Sequence, residues 1–483
     1  MNGLTLVWLR NDLRLSDNPA LHSACSGRDP VVAVYVIETD RAQRHAGAAA
    51  AWWLGKSLCS LSEQLRRIGV SLLVEEGPAG RVVPETAKRL GASSVVWNRR
   101  YEPGQREVDS AVKAALKARD IAATSFPGNV LAEPWTVKTG GGTPFKVFSA
   151  FARAVREKEI DAPLPAPRAS KNRAASNIEP TPLADDTSAV WTQKIDAFWD
   201  IGEAAARKRL THFLDEIVAD YPKGRDIPGV DGTSMLSPHL RFGEISARQI
   251  WHAATAITHE KPAIASAIDK FLGEIIWRDF NNHLLYHNED ISTVPMRPVF
   301  DHVRWRKDDD ALHAWQRGET GIPIVDAGMR QLWETGWMHN RVRMLVASFL
   351  VKNLMIDWRV GEEWFWDTLV DADDANNPGN WQWVAGCGMD AAPYFRIFNP
   401  VLQGQKFDTE GDYVRQWVPE IAALPERWIH RPWEAPRDVL SSAGVSLGKT
   451  YPRPLVDLKA SQARAKEVLS GRDNHGVSAA RPS

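Results

Sequence analysis

Apolar runs and amphipathic stretches alternate along the first 120 residues. Short apolar segments (LTLVWL at 4–9, VVAVYVI at 31–37, VSLLVEE at 70–76, SSVVWN at 93–98) are separated by stretches of helical character around 48–68, 82–90 and 104–118. Strands apolar on both faces, each followed by a helix, predict a doubly wound parallel sheet covered on both sides. No GxGxxG follows the first strand, so a dinucleotide site of the usual kind is not expected. Residues 160–190 are rich in Pro, Ala, Ser and Asn and read as a linker. After residue 200 strand patterns nearly vanish and amphipathic helices dominate, and the closing SGRDNHGVSAARPS is expected to fray. The predicted organisation is an α/β domain over 1–130, a linker over 131–200, an all-α domain over 201–470 and a polar tail over 471–483, with no internal repeat.

Two helical stretches carry chemistry on one face. Leu272, Ile276, Phe280 and Leu284 recur every four residues as a core stripe. Glu274, Trp277, Arg278 and Asn281 share another face. An i,i+4 Glu274–Arg278 pair on a solvated surface is the bland account, but a large indole on such a face needs a reason. A second helix is predicted over about 336–352 behind Thr335 as N-cap, with Asn340, Arg343, Met344 and Ala347 on one side. Residues 371–400, DADDANNPGNWQWVAGCGMDAAPYFRIFNP, combine turn formers with two tryptophans. They read as a loop lining a site, in which Trp381 and Trp383 point differently if the segment is extended.

Composition narrows the classes. A net charge of −1 leaves any nucleic-acid contact to a local patch. Three cysteines without metal spacing fit a reducing cytosol and no metal site. No apolar run approaches the ~20 residues of a membrane span, and no signal peptide is expected. Of the 21 tryptophans, 14 lie beyond residue 200, more than a helical core ordinarily needs.

The 371–400 run resembles the flavin-and-lesion segment of the photolyase/cryptochrome family. So do VWLRNDLRLSDNPAL at 7–21, GTSMLSPHLRFGEIS at 232–246, EIIWRDF at 274–280, GIPIVDAGMRQLWETGWMHNRVRM at 321–344 and PYFRIFNPVLQGQKFD at 393–408. The chain is most similar to the microbial members that repair cyclobutane pyrimidine dimers. The resemblance implies an antenna-binding α/β domain and a helical domain that binds FAD and DNA. It also implies light-driven electron transfer from reduced FAD to the dimer, in a cytoplasmic, monomeric enzyme.

Residue by residue, the resemblance assigns dimer contact and catalysis to Glu274, Trp277, Asn340, Met344 and Trp383. It assigns FAD binding to Tyr221, Thr233, Ser234, Met235, Leu236, Ser237, Phe271, Arg278, Asn340, Arg343, Asp371, Asp373 and Asn377, with Arg343 pairing with Asp371. A Thr233-Ser234 turn ahead of a helix suits a pyrophosphate, and the neutral Asn377 amide is expected to donate toward N5 of a reduced, anionic flavin. Asn at 377 leans to repair over the signalling cryptochromes, and Asn340 argues against the six-four branch, which resembles His-His at that place. Phe271 stands where the family often has Trp. Trp381, Trp358 and Trp305 match the family's electron-transfer chain, and Arg225, Arg341, Arg396 and Lys406 its phosphate contacts, beside Glu274, Trp277 and Trp383.

An antenna chromophore is implied as well, methenyltetrahydrofolate or alternatively an 8-hydroxy-deazaflavin. Gly104 and Gln105 stand where the common folate site has an Asn-Glu pair, so His45, Trp52 and Glu102 are the candidates for another site. A cryptochrome-type photoreceptor is the alternative function.

Overall fold

The computed structural model describes residues 3–169, 179, 181, 189–298, 300, 303–393 and 396–470. The expected tail at 471–483 and most of the Pro/Ala-rich stretch at 170–188 lie outside the described residues. The chain divides into two compact units. One comprises Met1–Pro222, Thr233–Glu289 and Asp367–Asn376; the other Lys223–Gly232, Asp290–Trp366 and Asn377–Ser483.

The first unit begins with the expected parallel sheet. Strands β1 (Leu4–Leu9), β2 (Val31–Glu38), β3 (Ser71–Gly77), β4 (Ala92–Asn98) and β5 (Ala122–Phe126) lie in the order β3-β2-β1-β4-β5, every pair parallel. Helices Pro19–Ser26, Ala48–Arg67, Ala79–Arg89 and Pro103–Lys117 alternate with the strands. All six residues of β1 are buried, which is why the strand reads as an unbroken apolar run.

After β3 the chain crosses to the other side of β1, so the carboxyl ends of β1 and β4 flank the switch point where open α/β sheets hold ligands. Here side chains fill that crevice. Arg100 donates to Glu38 (2.7 and 3.2 Å) and to Asp109 (2.7 Å), Arg10 reaches Asp109 at 3.4 Å, and both guanidinium groups lie over Trp8, at 4.1 and 5.3 Å from its ring centre.

The rest of the first unit is helical and is dominated by Ala265–His287. Leu272, Ile276, Phe280 and Leu284 are at most 6% exposed, as their spacing requires. Buried polar groups of this helix hold the segment that follows β5. Asp279 Oδ2 accepts the N–H groups of Leu131 (2.7 Å) and Ala132 (3.1 Å), and Arg278 Nη1 donates to the Asn129 carbonyl (2.6 Å). His283 Nε2 accepts the Phe145 N–H (3.1 Å), leaving Nδ1–H for the Pro134 carbonyl (3.2 Å).

In the second unit the described elements are helices and turns, apart from an isolated bridge between Leu447 and Tyr451. One helix boundary differs from expectation. Thr335 does not open a helix; it is the last residue of Pro323–Thr335, and its hydroxyl donates back to the Gln331 carbonyl (2.8 Å). Gly336, at φ 66°, supplies the left-handed residue that ends this helix. The next helix, Asn340–Ser348, is capped by His339, whose Nδ1 accepts the Arg341 N–H (3.2 Å). A π turn over Phe349–Asn353 continues it.

Candidate functional site

The first unit contributes a flat aromatic platform. Trp277 is half-buried, and the ring of Phe148 lies parallel to it, centroids 3.7 Å apart and planes 6° apart. Phe280 meets it edge-on at 5.7 Å. Glu274 is half-buried one turn earlier. Asn281 donates to the Asn376 carbonyl oxygen (2.8 Å), fixing an amide from the second candidate segment against this helix. Phe271 packs with Phe213 and Tyr221 in a fully buried cluster, which gives Tyr221 and Phe271 a plain packing role besides any contact to a cofactor.

In the Thr233–Ser237 turn, Thr233, Ser234 and Met235 are half-buried, Leu236 is buried and Ser237 is exposed. Met235 adopts φ 48°, a conformation that side chains other than Gly rarely take and that tends to persist where a site requires it. The helix that follows, Ser237–Phe242, is only six residues long, so hydroxyls and local N–H groups, more than a long helix dipole, are what this turn offers an anion.

Residues 371–400 are not the loop expected from their composition. Asn376–Ala385 is a helix. Most of the turn formers sit near its ends, although Gly379 and Asn380 lie within it: Asp373 Oδ1 accepts the N–H groups of Ala375 (2.9 Å) and Asn376 (2.5 Å), Pro378 falls in the first turn where its missing N–H costs nothing, and Gly386 at φ 102° follows the last turn. Trp381 and Trp383 therefore differ by helical rotation instead of strand alternation, and still face different surroundings. Trp381 is 3% exposed and enclosed by the ring edges of Phe365 (5.0 Å) and Trp315 (6.4 Å), while Trp383 is half-buried. A Cβ on Gly361 would come within 2.2 Å of the Trp381 ring, so the neighbouring helix has no side chain at that point. Between the two tryptophans, Gln382 is fully buried and clamps a loop: it accepts the Met296 N–H (2.8 Å) and donates to the carbonyls of Ile291 (2.7 Å) and Val294 (2.9 Å).

Asn377 corrects the expectation made for it. Its amide nitrogen donates to the Glu362 backbone carbonyl (3.0 Å) and to Glu362 Oε1 (2.7 Å). Both donors are spent, and what the side chain keeps for a ligand is its carbonyl oxygen, an acceptor for an N–H.

In the second unit His339 is buried, and burial lowers its pKa to about 4, so the ring is neutral. Because Nδ1 accepts from Arg341, the proton lies on Nε2, which has no partner among the described residues. The Trp381 indole N–H is likewise buried without one. Each is a buried donor of the kind that a polar ligand can satisfy. Asn340 is exposed and Arg343 and Met344 half-buried; Arg343 Nε donates to the Met338 carbonyl (2.7 Å). Asp371, 8% exposed, belongs to the first unit. Trp358 is fully buried with Arg359 over its ring at 5.1 Å, and Trp305 is half-buried against the edge of Phe300 at 5.8 Å.

The four expected phosphate contacts differ. Arg396 and Lys406 are exposed and Arg225 half-buried. Arg341 is held within the protein, donating to Asp226 (2.7 Å) and lying over Phe407 at 4.4 Å, so it braces this surface at least as much as it offers a charge.

Of the antenna candidates, His45 is exposed, and Trp52 is buried with an indole N–H that has no partner among the described residues. Glu102 caps the Pro103–Lys117 helix through the N–H groups of Gly104 (3.0 Å) and Gln105 (2.6 Å). It also lines a small polar cavity of the first unit with Arg100, Arg241, Arg278, Asp373 and Asp374. Burial, and then repulsion from Asp374, raises the Glu102 pKa; burial raises that of Asp374. A Cβ at Gly104 would sit 1.8 Å from the Ala42 carbonyl oxygen, so an Asn at this position would require the backbone at Ala42 to shift.

Sequence reasoning missed Phe148 and Glu362 and read Gln382 only as a spacer. Phe148 lies 129 positions from Trp277 and Glu362 15 positions from Asn377, on other elements, so no local period could have joined them.

Comparison with known proteins supplies the rest. Residues 5–168 match the family model described as DNA photolyase, and residues 271–471 that described as FAD binding domain of DNA photolyase. A deoxyribodipyrimidine photo-lyase of Agrobacterium fabrum is 46% identical over 95% of this chain and 96% of its own length. Cryptochrome-1 of Arabidopsis thaliana is 38% identical over 97% of this chain and 70% of its own. The crystal structure of a bacterial class III photolyase from Agrobacterium tumefaciens superposes with a TM-score of 0.93 at 44% identity, covering 98% of each chain.

Proposed function

The chain belongs to the photolyase/cryptochrome family, and from that premise we propose that it is a deoxyribodipyrimidine photo-lyase, a light-dependent enzyme that splits cyclobutane pyrimidine dimers in DNA. The observation that carries this reading is the half-buried Trp277, backed by a parallel ring and one turn from Glu274. A flat ring with one face covered offers the other to a base, at about 1–3 kcal/mol per stacked base. Removing a dimer from the duplex costs a few kcal/mol, least where the lesion has already weakened stacking; photolyases are themselves among the enzymes behind that rule.

Bound FAD, reduced and excited by light, supplies the electron that opens the cyclobutane ring. The protein binds, orients and stabilises charge. Tyr221, Thr233, Ser234, Met235, Leu236, Ser237, Phe271, Arg278, Asn340, Arg343, Asp371, Asp373 and Asn377 are the residues assigned to holding the cofactor, with Asn377 offering an oxygen to a ring N–H. Glu274, Asn340, Met344, Trp277 and Trp383 contact the dimer, and Arg225, Arg396 and Lys406, with Arg341 as a brace, hold the phosphates. Trp381, Trp358 and Trp305 relay electrons from solvent to the cofactor. Residues 1–130 form the antenna domain and 201–470 the FAD- and DNA-binding domain of a cytoplasmic monomer. No helix among the described residues is long and apolar enough to cross a membrane.

For the antenna we favour methenyltetrahydrofolate over a deazaflavin. The switch-point crevice that would take a flat tricyclic ring is filled by Arg10, Arg100, Glu38 and Asp109, whereas Glu102 and Asp374 suit the N–H edge of a pterin. The spectrum of the chromophore released on denaturing the purified protein distinguishes the two.

The functional test is binding. Trp277→Ala and Trp383→Ala each lower the ratio of damaged to undamaged DNA affinity by roughly tenfold or more, from the stacking energy above. An unchanged ratio in both removes the stacking platform and with it the argument for repair. The rival reading, a cryptochrome-type photoreceptor, is favoured by the match to Cryptochrome-1 of Arabidopsis thaliana over most of the chain; such a protein absorbs light and leaves dimers intact.

A further inference from the structure

We propose that Phe148 is a positioning residue for damage recognition: by stacking on the rear face of Trp277 it fixes the orientation in which that indole meets a damaged base. The proposal rests on the reading that Trp277 stacks on the dimer.

The Phe148–Trp277 contact is the closest ring pair among the described residues, with centroids 3.7 Å apart and planes 6° apart. Isolated aromatic pairs prefer offset or edge-to-face arrangements over a full face-to-face sandwich. An arrangement this parallel is imposed by its surroundings, and those surroundings are visible. The segment leading to Phe148 is tied at successive points to the very helix that carries Trp277. Arg278 holds the Asn129 carbonyl, Asp279 the N–H groups of Leu131 and Ala132, and His283 the Pro134 carbonyl and the Phe145 N–H. Burial lowers the His283 pKa to about 4, so its accepting and donating nitrogens keep these roles at neutral pH.

Phe148 then opens the helix Phe148–Arg156, which is anchored in turn by Phe151, 1% exposed, against Phe280 (5.2 Å) and His283 (5.1 Å). Every anchor is one, two, three or six positions beyond Trp277 on a single rigid helix. The backbone segments that carry Phe148 and Trp277 therefore cannot separate without breaking several hydrogen bonds, two of them buried.

A half-buried tryptophan on a helix otherwise changes rotamer readily, and each binding event must then freeze it. With Phe148 in place that ordering is done before DNA arrives, and one face of the indole is closed, so a base has only the opposite face to stack on. Phe148 itself stays behind the platform. Its effect is on recognition and not on the chemical step, so in repair assays it moves KM and leaves kcat.

The test uses the full-length, FAD-loaded protein and two oligonucleotides of one sequence, with and without a single thymine dimer. Phe148→Leu and Phe148→Met keep bulk and remove the flat face; if one fails to retain FAD, the other carries the measurement. Each is expected to lower the damaged-to-undamaged affinity ratio about 2- to 10-fold, the range of an aromatic pair, with FAD content and undamaged binding as in the parent. Phe148→Tyr restores the ratio. In a Trp277→Ala background, where the platform is gone, Phe148→Leu has no further effect. A parental ratio in both Leu and Met variants overturns the proposal, and so does an equal additional loss in the Trp277→Ala background, which means Phe148 acts without Trp277. If Trp277→Ala alone leaves the ratio unchanged, the stacking reading fails first and the proposal falls with it; loss on Trp277→Ala but not on Phe148→Leu sinks only the proposal.

Discussion

Trp277 and Trp381 stand on helices built alike, each with buried polar side chains clamping a neighbouring loop: Asp279 and His283 in one case, Gln382 in the other. Their rings are packed in opposite ways. Trp277 is half-buried with a parallel ring behind it, while Trp381 is 3% exposed with ring edges around it. A backed, half-open ring can be stacked upon. An enclosed ring is out of reach of a base, and its burial among Phe365 and Trp315 is compatible with the relay role proposed for it. The difference teaches that residue type alone does not assign a tryptophan to recognition or to electron relay; the angle and burial of its neighbours do.

The largest effect separates these two roles. Trp381→Phe is expected to abolish light-driven reduction of bound FAD while leaving repair intact once the cofactor has been reduced chemically, because in the proposed scheme the relay only prepares the cofactor. Absorption during illumination reads the first half and dimer loss the second. Equal photoreduction in mutant and parent would mean that another route dominates, with the Trp315 ring beside Trp381 the first to examine.

Next in size is Asn377→Asp. Asn377 donates both amide hydrogens to Glu362, so the substitution sets one carboxylate against another in a buried place, a repulsion that can reach several kcal/mol. Weaker FAD retention and faster air oxidation of the reduced protein are expected, with dimer discrimination, proposed above for Trp277, retained in molecules that keep FAD. Unchanged FAD affinity and reoxidation would dissociate Asn377 from the cofactor.

How far the sequence foretold this comparison depends on the range of the forces involved. The stripe Leu272, Ile276, Phe280 and Leu284 was legible because a helix writes its buried face into local spacing, and β1 because burial on both faces leaves an unbroken apolar run. The Asn376–Ala385 helix was misread, since Asp, Asn, Pro and Gly favour turns by composition, whereas here Asp373 caps the helix, Pro378 falls in its first turn, and Gly379 and Asn380 are carried inside it. Thr335 was misplaced for a similar reason: Gly336 and His339 supply a stop and a start within four residues. The Phe148–Trp277 stack and the Glu362–Asn377 bonds join distant segments, where spacing carries no signal.

A smaller effect concerns the basic side chains of the second unit. Arg396→Ala and Lys406→Ala, at exposed positions, are expected to weaken damaged and undamaged DNA binding alike and each to lower the salt slope by about one unit or less. Arg341→Ala, which also removes the bond to Asp226, is expected to lower thermal stability as well. Titrations at several salt concentrations, with a melting curve for each variant, test the distinction. A selective loss of damaged binding in Arg396→Ala would move that residue from the phosphates to the lesion.

The smallest effect is a pH dependence. Lys352 is fully buried and donates to the Arg396 carbonyl (2.7 Å); burial lowers its pKa to about 8 from 10.5. Between those values the unfolded chain holds a proton that the folded chain lacks, so this group makes stability rise with pH from about 8 to 10.5, by up to about 1.4 kcal/mol per unit, and contributes no slope below that window. Lys352→Met should lose this rise. Parallel profiles for mutant and parent in urea unfolding would show that Lys352 titrates normally.

The central claim is that this chain repairs DNA with light. The direct measurement is the thymine-dimer content of an oligonucleotide incubated with purified, chemically reduced, FAD-loaded protein, in blue or near-ultraviolet light and in the dark. The account predicts dimers restored to intact thymines in the light, many per protein molecule, and none restored in the dark. Dimers that persist under illumination while the protein holds reduced FAD and absorbs the light would contradict it and identify a photoreceptor.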